Sequence, residues 1–185
     1  MSPFLAVDTS VGTSVALVSG GKVLAEVTID DRMGHAENIG QALAEVFKRA
    51  DVAPSRISAV VAGRGPAPFT GLRVGIAAAI AFAEGVARPI FGVVSHDAIA
   101  LAELTATDAL SAPLLVTTDA RRSEVYWSLY SGLDSHGCPI RIDGPHVNKP
   151  DELEALLTER GIQPRRAKTE VSAANVARVA ERQML

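Results

Sequence analysis

The 185-residue sequence predicts an α/β fold built from two related units, the second shorter than the first. Three observations carry that expectation. Short apolar runs punctuated by glycine alternate with longer stretches whose apolar residues recur every three or four positions, the periods of strands and amphipathic helices. The segment LAVDTSVGTSVALVSG at residues 5–20 is echoed by LVTTDARRSEVYWSLYSG at residues 115–132. In both, a strand ends in Asp (Asp8, Asp119), a polar turn follows, and a second strand ends at Gly. Loose internal repetition of this kind implies a duplicated supersecondary unit. Finally, hydrophobic residues make up 48 % and charged residues 21 %, so the chain is globular, yet aromatics are only 4 % and the core must be assembled from Ala, Val, Leu and Ile.

The elements follow in order. Residues 4–7, 14–18 and 23–29 are short apolar runs separated by Gly12 and by Gly20-Gly21, an antiparallel meander. Ile39, Ala42, Leu43, Val46, Phe47 and Ala50 then set a helical period over residues 35–50, and Pro54 follows. Residues 57–62 are a strand leading into a Gly/Pro-rich turn. A second helix over residues 70–87 has only Arg73 and Glu84 as charged residues. A helix apolar nearly all round is buried on more than one side. One side could belong to another chain, or the helix could be sandwiched within its own domain. Residues 89–94 form a strand, 96–104 a helix, and 114–118 with 125–130 a strand pair. Residues 151–160 are helical between Pro150 and Gly161, and Ser172 caps a last helix through residue 183. The division expected is an N-terminal unit at 1–100 and a smaller C-terminal unit at 101–185.

The net charge is −3 and no face-sized basic run occurs, which argues against autonomous tRNA or DNA binding. Arg121-Arg122 and Arg165-Arg166-Lys168 read as solvated surface. The single cysteine, Cys138, excludes an intramolecular disulfide and a cysteine-rich metal site. The N-terminus carries neither a basic leader nor a long apolar stretch, and residues 74–83 are too short to span a bilayer; a cytoplasmic protein without a membrane partner is expected.

His35, His96, His136 and His146 are too far apart in sequence for a helical zinc pair, so no metal site is expected; His35 and His96 read as helix-start residues. G-x-S-x-G, the P-loop pattern and G-x-G-x-x-G are all absent. The informative stretch is GRGPAPFTGLRVG at residues 63–75, which joins a strand to a helix N-terminus. Backbone amides at such a turn can cradle an anion, Thr70 can cap the helix, and Gly71 and Gly75 allow close backbone approach. Asp8 and Asp119 could hold Mg²⁺ through water, or simply be turn residues. Asp8, Ser10, Gly65, Thr70, Gly71 and Asp119 are therefore the candidate nucleotide or anion cleft.

GPAPFTGLRVGIAAA closely resembles the G-P-G-P-F-T-G-L-R-x-G signature of the TsaB (YeaZ) family, with Ala67 where that family usually has Gly. LAVDTS, VVSHDAIA and DARRSEVYWSLY fit the same family in the same order. The resemblance covers residues 5–130 well; the C-terminal part is shortened, and the family's Gly-rich segment after the 151–160 helix is not evident. The resemblance implies an actin-like ATPase (ASKHA, ribonuclease H-like) fold with two lobes from a duplicated βββαβα-type unit. It also implies a non-catalytic scaffold with no cofactor of its own. Its partners would be a TsaD-like catalytic subunit and a TsaE-like ATPase. That assembly transfers a threonylcarbamoyl group to the adenosine beside the anticodon of tRNAs reading codons that start with A. tRNA would be met only through the complex, and alone the chain could pair with a second copy. TsaD-like proteins carry an H-x-x-x-H metal motif at the stretch matching residues 94–100; here His96 matches the first histidine and Ala100 replaces the second. The expected partner interface uses the outer faces of the first two helices, at Leu43, Phe47, Val74, Gly75 and Ala78. The rival readings are a metallopeptidase of glycoprotease type and a small ATPase or kinase of the same fold.

Overall fold

The computed structural model describes residues 2–30, 35–106 and 112–185, with residues 35 and 36 described through their backbone only. The first unit runs β1 (Phe4–Asp8), β2 (Thr13–Ser19), β3 (Lys22–Ile29), α1 (His35–Ala50), β4 (Ala59–Gly63), α2 (Phe69–Gly85), β5 (Ile90–Val93) and α3 (Ser95–Thr105). The second runs β6 (Leu114–Arg121), β7 (Glu124–Leu133), β8 (Pro139–Asn148), α4 (Pro150–Glu159), β9 (Arg165–Arg166) and α5 (Ala173–Gln183). The strand orders are β3-β2-β1-β4-β5 and β8-β7-β6-β9. The first four positions of each are therefore the same arrangement, an antiparallel meander whose first strand also pairs in parallel with the strand after the helix. This is the geometric form of the repetition legible at Asp8 and Asp119.

Alternation along the strands sorts the core into layers. In β1 and β2, Leu5, Val7, Val15 and Leu17 face Ile39, Ala42 and Val46 of α1 and Ala79 and Ala83 of α2. Ala6, Ala16 and Val18 face the other way, onto Ala173, Ala177 and Ala180 of α5 and Leu101 of α3. On the second sheet, Leu114, Val116 and Tyr130 meet Ile99, Ala100 and Leu104 of α3, while Leu115, Trp127 and Leu129 meet Leu153 and Leu157 of α4. The molecule is thus helix pair, sheet, helix pair, sheet, helix. α3 and α5 are the filling between the sheets, which is why α3 is buried on nearly every side.

Two expectations change. The division at residue 100 does not describe α5, which leaves the second unit to cover the first sheet, because that sheet is apolar on both faces. Residues 107–111, just after that division, lie outside the described residues. The second unit is richer in strand than expected: β8 is ten residues long and reads poorly as a strand because Gly144-Pro145 interrupts it and its pairing with β7 shifts register three times.

Candidate functional site

The β1–β2 turn, the start of α2, the end of β6 and residues 169–171 meet around a cavity of about 510 Å³. Ser10, Thr70, Gly71, Thr118, Asp119 and Arg121 line it. Four of the six expected cleft residues, Ser10, Thr70, Gly71 and Asp119, are thereby brought together. Asp8 and Gly65 do not line it.

Asp8 is 1 % exposed and fully engaged. Its Oδ1 accepts the Ser10 backbone N–H (2.8 Å) and the Ser10 hydroxyl (2.5 Å), and its Oδ2 accepts the Ser95 hydroxyl (2.6 Å). Ser95 Oγ in turn accepts the Gly65 N–H (3.1 Å), and the Ser95 N–H donates to the Gly65 carbonyl (2.7 Å). The carboxylate therefore pins the β1 turn to the glycine-rich loop and to the start of α3. Both of its oxygens are engaged in these bonds, and it does not line the cavity that Asp119 lines. Packing explains the glycines: a Cβ on Gly63 would overlap the Asp8 carboxylate, and one on Gly75 would overlap the Thr9 side chain, whose hydroxyl donates to the Gly71 carbonyl (2.8 Å). Thr70 does not cap α2. Pro68 occupies that position without a side-chain cap bond, and Thr70 sits in the first turn, exposed to the cavity.

His96 is wholly buried, with Nδ1 2.9 Å from Ser128 Oγ and Nε2 2.9 Å from Thr118 Oγ1. Burial, with a smaller contribution from Arg141, holds its pKa down at about 3, so the imidazole is neutral at physiological pH. Both ring nitrogens are spoken for within the chain, which leaves no lone pair turned to a metal. The helix-start position is as expected, but the role is that of a bridge from α3 to β6 and β7. Its neighbour Asp97 accepts the Tyr130 hydroxyl (2.7 Å), with Arg141 Nε at 3.6 Å.

The outer wall of the cleft, Thr169 to Val171, hangs on a residue that the sequence does not single out. Glu103 of α3 accepts the backbone N–H groups of Lys168 and Thr169 (2.8 Å each), the Thr169 hydroxyl (2.6 Å) and Arg165 Nη1 (3.0 Å). Burial pushes this carboxyl up, but those donors outweigh it and hold it below its usual range. Arg165 is thus an anchored residue rather than solvated surface.

The expected interface residues are placed differently. Gly75 faces Thr9 of its own chain and belongs to the core. Leu43, Phe47, Val74 and Ala78 are half-buried against that core, and Phe47 stacks on Phe82 of α2 (5.4 Å between centroids, 11° between planes), so α1 and α2 hide these side chains from each other's solvent. The open face of α2 is instead Phe69 (66 % exposed), Arg73, Ala77, Ile80 (46 %), Ala81 and Glu84. The Arg73 guanidinium lies 3.6 Å from the Phe69 ring centroid. Both charged residues of the 17-residue helix, Arg73 and Glu84, lie on this face beside the apolar Phe69, Ala77, Ile80 and Ala81, one helical step away from the residues expected.

Residues 22–181 match the family model described as TsaD: tRNA N6-adenosine threonylcarbamoyltransferase. An uncharacterized protein of Mycobacterium leprae is 37 % identical over 163 residues, which is 83 % of this chain and 41 % of the relative. The tRNA threonylcarbamoyladenosine biosynthesis protein TsaB of Escherichia coli is 34 % identical over 156 residues, 84 % of this chain and 66 % of the relative. Among solved structures, YeaZ from Pseudomonas aeruginosa superposes with a TM-score of 0.79 at 26 % identity, covering 98 % of this chain and 91 % of that one. An inorganic polyphosphate/ATP-glucomannokinase from Arthrobacter shares the fold alone, at a TM-score of 0.55 and 15 % identity, covering 100 % and 99 %. The fold is accordingly the actin-like ATPase fold. The chain spans 41 % to 68 % of the length of the curated relatives it matches.

Proposed function

Because the chain belongs to the TsaB (YeaZ) family, we propose that it works in threonylcarbamoyladenosine synthesis as a non-catalytic subunit that docks on a TsaD-like catalytic partner through the outer face of α2. A TsaE-like ATPase completes the assembly, and tRNA is reached through the complex, in keeping with a net charge of −3. The observation that carries this reading is the exposed row Phe69, Ala77, Ile80 and Ala81. Small residues let a partner helix approach closely, while Phe69 and Ile80 supply apolar area to be desolvated. In the absence of a partner the same face suits a second copy of the chain. His96, enclosed by Ser128 and Thr118, gives no support to a metallopeptidase, and Asp8, held by Ser10 and Ser95, gives none to a kinase.

The test compares two substitutions two residues apart. Ile80→Arg changes an exposed side chain, so the lone chain should melt within about 0.5 kcal/mol of wild type. In the complex, the same guanidinium would be buried without a partner, typically about 3–5 kcal/mol, a loss of more than a hundredfold in affinity for a TsaD-like protein. Ala78→Arg enters the half-buried side of α2 and should lower the melting temperature of the lone chain directly. A pull-down in which Ile80→Arg binds as wild type does would move the interface off this face.

A further inference from the structure

A second cavity, about 560 Å³, opens beside α4, away from the cleft and from the outer face of α2. Its floor is Trp127, 1 % exposed, with Nε1 donating to Asn148 Oδ1 (2.8 Å). The His146 imidazole leans on that indole, 4.9 Å between centroids and tilted by 51°. Tyr126, Pro66 and Pro145 supply the remaining apolar walls, and Arg160 stands at the rim. Asp143 holds both polar side chains of the site: His146 Nε2 lies 2.7 Å from its Oδ1, and Arg160 Nη1 donates to its Oδ2 at 2.6 Å. The side chains of His146 and Arg160 are still about half exposed, so each presents its uncommitted edge to the cavity mouth.

We propose that this dish binds a flat heteroaromatic ring carrying a phosphate, the chemistry of a mononucleotide. The base would lie among Tyr126, His146 and the two proline rings, and the phosphate would lie on the Arg160 guanidinium. Aromatic and proline side chains give flat apolar surfaces that lose little conformational entropy on binding, and a base stacks on such surfaces whatever its sequence. A guanidinium oriented in advance by a carboxylate offers its remaining N–H groups as a fork suited to phosphate oxygens. The volume is that of a small-molecule site. A free nucleotide and a nucleotide within a single RNA strand present the same chemistry, since unpaired bases are read on aromatic side chains in the same way. The site is separate from the α2 face, so either assignment can fail without the other.

Trp127 is the chain's only tryptophan, which makes its emission a built-in reporter of this cavity. AMP titrated into the full chain should change that emission saturably, adenosine should do so more weakly, and inorganic phosphate should compete with AMP. Arg160→Ala should weaken AMP by roughly tenfold or more and leave adenosine unchanged. Tyr126→Ala should weaken both by roughly tenfold, and Tyr126→Phe, which keeps the ring, should bind AMP as wild type does. Thermal melts of each variant separate loss of binding from loss of fold. A short unstructured oligonucleotide that outcompetes AMP identifies the source as RNA; AMP outcompeting the oligonucleotide identifies it as free nucleotide. No saturable change with AMP, an unchanged AMP response in Arg160→Ala, or loss of AMP binding in Tyr126→Phe would overturn the proposal.

Discussion

His96 shows how a residue type that suggests chemistry can be turned inward. The hydroxyls of Ser128 and Thr118 satisfy both ring nitrogens, and the ring carries no exposed surface. Its cost is a dependence on pH. The folded state holds the imidazole neutral down to about pH 3, whereas an unfolded chain protonates it near its ordinary value of 6.5. Between those values the unfolded state binds the extra proton, so stability is fully present above 6.5 and falls as pH drops toward 3. The slope from this one group approaches about 1.4 kcal/mol per pH unit. Most carboxylates titrate at lower pH, but burial pushes the neighbouring Asp97 up, so the His96 share over about pH 6 to 5 is read as the difference between wild type and variant. Denaturant unfolding across that interval should show the loss in wild type and a markedly flatter profile in His96→Asn, whatever the variant's absolute stability. Equal slopes in the two proteins would mean that the imidazole protonates in the folded state.

At the scale of an element, α2 and the loop before it account for the glycine-rich stretch as packing. Thr9 lies where a side chain on Gly75 would have to go, and its hydroxyl is already on the Gly71 carbonyl. Gly75→Ala should gain about 1 kcal/mol of helix propensity and lose about 1–3 kcal/mol to overpacking, a net destabilisation. In a Thr9→Ala background the hydroxyl and methyl that would clash most are gone and only the Cβ, at 3.1 Å, remains, so the same change should cost clearly less than in wild type; a double-mutant cycle of melts reads the coupling. If Gly75→Ala stabilises the wild-type chain, the β1 turn yields and the two segments are not tightly coupled. The same comparison tells what was legible beforehand. The periodicity of Ile39, Ala42, Val46 and their neighbours fixed α1 at both ends, because period is local. The need for close approach at Gly71 and Gly75 could be read too, but not what approaches them: Thr9 lies more than sixty positions away. The open face of α2 was misassigned by one helical step, since Ala77 and Ala78 are equally small and only the fold decides which meets Phe82's side of the helix. β8 and the Glu103 anchor were illegible because both depend on partners brought in from elsewhere in the chain.

For the molecule as a whole, the consequence of the layering is that the first unit does not close its own core. One face of its sheet is covered by α1 and α2, the other by α5, which arrives from the end of the chain. That second face is small-grained: Ala6, Ala16 and Val61 meet Ala173, Ala174, Ala177 and Ala180, so helix and sheet approach closely and many weak contacts replace a few large ones. α5 is also tied to the first unit by polar contacts. Glu26 of β3 accepts the Ser172 hydroxyl (2.7 Å) and the Ala174 N–H (3.1 Å), and Glu181 accepts the N–H groups of Gly20 and Gly21 (2.9 and 2.7 Å). A fragment of residues 1–106 would therefore expose an apolar sheet face together with the buried sides of α3. It should show no cooperative thermal transition and should bind a hydrophobic dye, as expected of a collapsed chain without fixed packing. Supplying residues 172–185 as a separate peptide should restore part of the transition, because that segment carries the covering surface. A fragment that melts cooperatively on its own, near the temperature of the whole chain, would mean that the first unit is autonomous and that α5 is an accessory to it. Among the described residues of 1–106, only α3 covers the sheet's second face, and its other side is itself built to meet the second sheet.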